Sequence, residues 1–245
     1  MPSLTTVEWG RYQAVLFDLD GVITPTADIH ERAWGELFAD YGYTSQDYLT
    51  HIDGKPRYEG VRAFLVSRDL HLPWGGTDDA PGDTTVCALG NRKDELFNAI
   101  LTRDRIAPYP GTIAVMETLD RLGIPQAVVS SSRNARPVLA AAGLAGRFEV
   151  VVDGVTAAQE ELAGKPSPEM FEFAARLLDV PTPGSVVVED AVAGVSAGAA
   201  GDFGLVVGVD RGDNHDALVE AGADLVIGDL ADTLGPAAST TTREG

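Results

Sequence analysis

The chain holds one cysteine, Cys87, so it can form no intramolecular disulfide. That suits a reducing compartment. No histidine arrangement accompanies Cys87, so a catalytic thiol is not expected. Basic residues are scarce: 18 Lys and Arg stand against 37 Asp and Glu, a net charge of −19. Non-specific nucleic-acid binding is driven by cations that neutralise phosphates, and this balance argues against it. An anionic substrate would need a few placed cations to hold it against the global field. No apolar segment approaches the length of a bilayer span. Residues 1–10 lack the basic start and apolar stretch of a signal peptide. The chain therefore reads as a soluble, cytoplasmic protein with no membrane contact.

What is present is apolar mass. Hydrophobic residues make up 44% of the 245 positions, enough for one large core or two small ones. The organising stretch is Ala14-Val15-Leu16-Phe17-Asp18-Leu19-Asp20-Gly21-Val22. A short apolar run bounded by a turn signal suits a strand buried on both faces. Ligands gather outside the carboxyl ends of such strands, where Asp18 and Asp20 fall. The strand period of two puts both carboxylates on one side. They repel unless a cation lies between them, and a hard oxygen-ligated cation such as Mg²⁺ is the natural partner. The same residues also read as a strand running into an ordinary Asp-Gly turn.

Helical spacing follows over residues 27–41, with Gly42 as a stop, and again over 45–52, 57–67 and 91–104. Residues 72–83, rich in Gly, Pro and Asp, read as a surface excursion. No strand is evident from about residue 27 to 105, so this region reads as a helical insertion. Alternation of strands and helices then resumes. Strands are expected at 125–130, 148–152, 185–188, 205–209 and 225–227. Helices are expected at 111–122, 135–142, 192–200 and 215–221, with one more starting at Ser167-Pro168-Glu169 and a short last one. The fold class is α/β: a Rossmann-like parallel sheet with a small α-helical cap inserted after the first strand. The core is placed at 1–26 plus 105–245 and the cap at 27–104. Residues 239–245 read as a frayed tail.

Polar groups of different kinds end these segments in a fixed order: Asp18 and Asp20, Ser130, Lys165, then Glu189-Asp190. Each has an ordinary explanation as a turn, a cap or a solvated lysine. In combination, the sequence resembles the haloacid dehalogenase superfamily of phosphoryl-transfer enzymes. Its four motifs are matched by Phe17-Asp18-Leu19-Asp20-Gly21, Val129-Ser130-Ser131, Gly164-Lys165-Pro166 and Glu189-Asp190. The resemblance implies that Asp18 is the nucleophile and becomes an aspartyl-phosphate. It implies that Asp20 is the general acid/base and lends its backbone carbonyl to Mg²⁺. Glu189 and Asp190 then complete the metal site. Ser130 donates a hydrogen bond to phosphate, and Lys165 offsets the charge of nucleophile and phosphate.

The insertion is similar to the cap of the branch that includes β-phosphoglucomutase. The match runs from Asp20-Gly21-Val22 to Ala33-Trp34 and recurs at Gly54-Lys55-Pro56-Arg57 and Asn91-Arg92-Lys93-Asp94. It implies that Thr26 and His30 act on the acid/base aspartate and the sugar hydroxyl. It assigns Arg57 to the second phosphate and Lys93 to the sugar phosphate. Ser131, Ser132, Arg133 and Asn134 fall at positions that bind phosphate and substrate, with Arg133 where that branch usually has lysine. Residues 74–83 and Cys87-Ala88-Leu89 lengthen the cap and leave the substrate open. The expected activity is interconversion of β-glucose 1-phosphate and glucose 6-phosphate through the 1,6-bisphosphate, by a monomer. A sugar-phosphate phosphatase is the alternative, and a non-catalytic sugar-phosphate-binding protein a remote one.

Overall fold

The structure is a computed structural model and describes residues 6–52, 55, 57–212 and 214–235. Gly54, Pro56 and the 239–245 tail lie outside the described residues. The chain divides into two compact units, Met1–Pro25 with Ala107–Gly245, and Thr26–Ile106.

The first strand, β1 (Ala14–Phe17), is fully buried, as an apolar run without alternation requires. The inserted unit follows. It holds α1 (Ala27–Leu37), α2 (Ser45–Asp47), α3 (Arg57–Ser67) and α4 (Val86–Asp104). Its core is aromatic: Trp34, Phe38 and Phe64 pack with Leu37, Val61 and Leu89, and the Phe38 and Phe64 rings stack at 4.0 Å. Trp34 is thus a core residue of this unit. Among the described residues the unit contains no strand. A Thr44–Asp47 capping box starts α2, which continues into a π-helical turn, Tyr48–Ile52.

The larger unit continues with α5 (Pro110–Leu122), β2 (Gln126–Val129), α6 (Ala135–Ala141), β3 (Val150–Val152) and α7 (Gly154–Gln159). Then come α8 (Glu169–Leu177), β4 (Ser185–Glu189), α9 (Val192–Ala200), β5 (Leu205–Val209), α10 (His215–Glu220) and β6 (Leu225–Ile227). The six strands form one parallel sheet in the order β3-β2-β1-β4-β5-β6. Strand order reverses beside β1, so the crevice at its carboxyl end is the expected ligand site. Leu16, Val129, Val152 and Val187 from four strands pack with Met170, Phe171 and Ala174 of α8. The fold is a Rossmann-like α/β sheet with flanking helices. Among the described residues, no helix is long and apolar enough to cross a membrane.

Some boundaries differ from the sequence expectation. Helix α4 begins at Val86, not at residue 91, because the Thr85 hydroxyl caps it by accepting from Ala88 N at 2.9 Å. Cys87, Ala88 and Leu89 therefore belong to a helix and are buried. In α8 the cap position is Pro168, one residue later than expected. The Ser167 hydroxyl still accepts from Glu169 N, at 3.4 Å. The short helix α7 has no counterpart in the sequence reading. Asp153 creates it by accepting from Val155 N and Thr156 N at 3.1 and 2.8 Å.

Candidate active site

Asp18 directly follows β1, and its N–H extends the ladder to Val188 O at 2.9 Å. The chain then folds tightly over residues 19–24. Gly21 N donates to Thr24 O at 2.8 Å, and Thr24 N to Leu19 O at 3.0 Å. Gly21 has φ +80°, and a Cβ there would lie 1.8 Å from Asp190 Oδ2. Both the turn and the approach of Asp190 thus require glycine. The loops after β1 and β4, which are neighbouring strands, meet at this point.

Lys165 reaches into the same place. Its ammonium donates to Asp18 Oδ1, to Glu189 Oε1 at 2.6 Å and to Val129 O at 3.0 Å. All three charged side chains are buried. Glu189 Oε2 accepts from Ala191 N at 2.9 Å, so both carboxylate oxygens are engaged. Burial opposes the charge on Lys165, but Asp18 and Glu189 outweigh it and raise the ammonium pKa above its ordinary range.

The carboxylates crowd one another. Burial raises Asp18 well above the usual carboxylate range; Lys165 opposes this, and Glu189, Asp20 and Asp190 add to it. Asp190 is pushed up to about 7, by burial first and then by Glu189 and Asp20. Without a cation, such a group favours protons. Asp18, Glu189 and Asp190 each offer one oxygen, and the three lie within 4.8 Å of one another. Three hard oxygen donors, two of them buried and that of Asp190 half-buried, fit a divalent cation of the Mg²⁺ type. The Asp20 side chain is not part of that group.

Ser130 ends β2, the other neighbour of β1, and is buried. Its Oγ accepts from Ser132 N at 3.1 Å, which leaves its O–H to donate. The Ser132 hydroxyl accepts from Asn134 N at 3.1 Å, and Ser132 O accepts from Gly154 N at 3.1 Å. Ser131 and Arg133 are exposed. Asn134 is the cap residue of α6.

The helical unit carries its own cluster. Lys93 is buried on α4, with its ammonium 2.6 Å from Nδ1 of His30 on α1. The ammonium also lies 4.8 Å from the Phe97 ring centre and 5.3 Å from that of Trp34. The His30 ring stacks on Phe97 at 4.3 Å. Burial, then Lys93 and Arg57, hold the imidazole pKa well below its ordinary value. A neutral ring that accepts from lysine at Nδ1 keeps its proton on Nε2. Arg57 donates to Asp94 Oδ1 at 2.7 Å. Thr26 is buried at the head of α1, and its carbonyl accepts from His30 N at 2.9 Å.

Two residues at this site are invisible to motif reading. Arg211, after β5, donates from Nε to Gly21 O at 2.8 Å, and its guanidinium carbon lies over the Tyr109 ring at 3.6 Å from the centroid. Asn214 donates to Asp190 O at 3.0 Å. Together they tie both acidic loops through backbone carbonyls. Cys87 is buried, and burial with Asp79 raises its thiol pKa, which does not suit a nucleophile.

Comparison with known proteins agrees with this geometry. The profile of haloacid dehalogenase-like hydrolases matches residues 12–202. A β-phosphoglucomutase of Mycobacterium tuberculosis is 41% identical over 242 residues, covering 91% of this chain and 92% of its own. Hexitol phosphatase A of Escherichia coli is 31% identical over 78% of this chain and 80% of its own. Among solved structures, a CbbY variant from Rhodobacter sphaeroides in complex with xylulose-1,5-bisphosphate superimposes with a TM-score of 0.68. It is 27% identical and covers 90% of this chain and 95% of its own. The chain belongs to the haloacid dehalogenase superfamily, in its β-phosphoglucomutase-like subfamily, and is one of its enzymes.

Proposed function

We propose that the protein is a Mg²⁺-dependent β-phosphoglucomutase, a cytoplasmic monomer that converts β-glucose 1-phosphate to glucose 6-phosphate through the 1,6-bisphosphate. The observation that carries the reading is the Asp18 carboxylate, held by Lys165 beside Glu189 and Asp190. The 41% identity to a β-phosphoglucomutase supports the substrate. In one half-reaction an Asp18 oxygen attacks the C1 phosphorus of the 1,6-bisphosphate, the bond to the C1 oxygen breaks and glucose 6-phosphate leaves. Asp20 gives that oxygen a proton. In the other, the C6 hydroxyl of β-glucose 1-phosphate attacks the aspartyl-phosphate, the bond from phosphorus to the Asp18 oxygen breaks, Asp20 takes the hydroxyl proton, and the bisphosphate is regenerated. Asp18, Glu189, Asp190 and the Asp20 carbonyl would hold the Mg²⁺, which when bound offsets charge on the transferring group. Lys165 and Ser130 stabilise the same oxygens. His30 and Thr26 orient the sugar hydroxyl and Asp20. Arg57, Lys93 and Arg133, with Ser131, Ser132 and Asn134, hold the substrate and its distal phosphate.

The second reading is a sugar-phosphate phosphatase, which the 31% identity to hexitol phosphatase A favours. There, water takes the phosphoryl group from Asp18. The two separate on incubation with β-glucose 1-phosphate, with and without catalytic glucose 1,6-bisphosphate. Glucose 6-phosphate without free phosphate is the expected result; steady phosphate release would establish the hydrolase instead. Asp18→Asn should reduce either activity to background, and substantial turnover in that variant would remove Asp18 as nucleophile.

A further inference from the structure

Residues 68–85 join α3 to α4, and nothing in the reaction above uses them. Their anchorage is specific. Asp79 Oδ2 accepts from the Thr85 hydroxyl at 2.6 Å. The Asn91 amide donates to Thr77 O and Asp79 O at 3.2 and 2.8 Å, while its oxygen accepts from the Tyr58 hydroxyl at 2.9 Å. Every polar atom of the Asn91 amide is therefore engaged, with both donors on the loop and the acceptor on α3. The loop also lays Trp74 edge-on to Tyr58 at 6.4 Å and under Arg62 at 5.2 Å.

Tyr58 is the neighbour of Arg57 in the first turn of α3. Its ring lies so close to α4 that a Cβ on Gly90 would fall 2.5 Å from Cδ1, and 3.4 Å from Arg57 Cδ. That contact accounts for a helix-weakening glycine inside a helix of 19 residues. The Arg57 guanidinium sits 5.9 Å from the Tyr58 ring centre and donates to Asp94, one turn beyond Asn91. A continuous set of contacts thus runs from the loop carbonyls through Asn91 and Tyr58 to the side chain of Arg57.

We propose that the 68–85 segment is a specificity element: through Asn91 and Tyr58 it sets where Arg57 presents its guanidinium to the distal phosphate of a bisphosphate. Asn91 and Tyr58 are positioning residues, and Asp94 fixes the guanidinium they place. This rests on the assignment of Arg57 to the distal phosphate. A phosphate ester with no second phosphate should not sense the arrangement.

The test is steady-state kinetics of the full chain with varied glucose 1,6-bisphosphate at a fixed concentration of β-glucose 1-phosphate as acceptor and, separately, with p-nitrophenyl phosphate. Tyr58→Phe and Asn91→Ala should each raise KM for the bisphosphate by about threefold to tenfold, the scale of one lost hydrogen bond. kcat and the hydrolysis of p-nitrophenyl phosphate should stay at the parent level. Arg57→Ala should raise the same KM further, and Tyr58→Phe should add nothing in that background. If Arg57→Ala raises KM while Tyr58→Phe and Asn91→Ala do not, the loop inference fails and the assignment of Arg57 stands. If Arg57→Ala leaves KM unchanged, that assignment fails and the inference with it. Equal losses on both substrates, or full additivity with Arg57→Ala, would also overturn it.

Discussion

Asp190 is the residue whose ionisation most directly reports on the cation. Its pKa of about 7 lies above the ordinary carboxylate value, so the folded chain binds this proton more tightly than the unfolded chain does. In the absence of metal, ionising Asp190 therefore lowers stability as pH rises from the ordinary carboxylate range toward 7. Below that range the penalty vanishes. A divalent cation takes the proton's place, so binding strengthens as pH rises through 7. We expect saturating Mg²⁺ to raise the Tm more at pH 8 than at pH 6, as differential scanning fluorimetry would read. Equal shifts at both pH values would mean that Asp190 is not a ligand.

At the level of elements, one carboxylate ties the start of α2 to Arg68, the residue after α3. Asp47 accepts from Thr44 N and the Thr44 hydroxyl at 2.8 Å each and from Arg68 at 2.8 Å. Burial alone would raise its pKa, but these bonds to Thr44 and Arg68 outweigh it and lower the pKa. A depressed carboxylate contributes stability above its unfolded pKa and loses it as pH falls through the folded value. Asp47→Asn should cost ~1 kcal/mol at pH 7 by urea denaturation. The gap between parent and variant should narrow as pH falls below the ordinary carboxylate range, and a constant gap would exclude the ionised cap. The sequence made many elements legible for simple reasons. Ala14–Phe17, Gln126–Val129 and Leu205–Val209 are apolar runs bounded by turns, and burial on both faces demands such runs. The first turn of α4 escapes a reading that begins the helix at residue 91, because Gly90 weakens a helix by propensity, whereas here it makes room for the Tyr58 ring. At the site, Asp18, Lys165, Glu189 and Asp190 are singled out by the order of four motifs that resemble a family, since each alone passes for a turn, a cap or a solvated lysine. Arg211 and Asn214 are not, because they act on the carbonyls of Gly21 and Asp190, and every residue type offers a carbonyl.

Across the whole molecule the net charge of −19 opposes an anionic substrate at distances where single cations are not felt. The Debye length falls from ~30 Å at 0.01 M to ~8 Å at 0.15 M salt. At saturating Mg²⁺, kcat/KM for a sugar phosphate should therefore rise by about twofold to tenfold over that range, with kcat unchanged. A falling profile would show that Arg57, Lys93 and Arg133 dominate the approach. The route by which the chain leaves and rejoins the larger unit has a separate consequence. Tyr109 N donates to Ile23 O at 2.9 Å, so the two crossings run side by side. To the sheet, everything between them is a single closed loop, and the entropy of closing it changes only slowly with its length. A graft that bridges Thr24 to Pro108 with a few flexible residues, or with a different helical module, leaves the strand order with no new topological problem to solve.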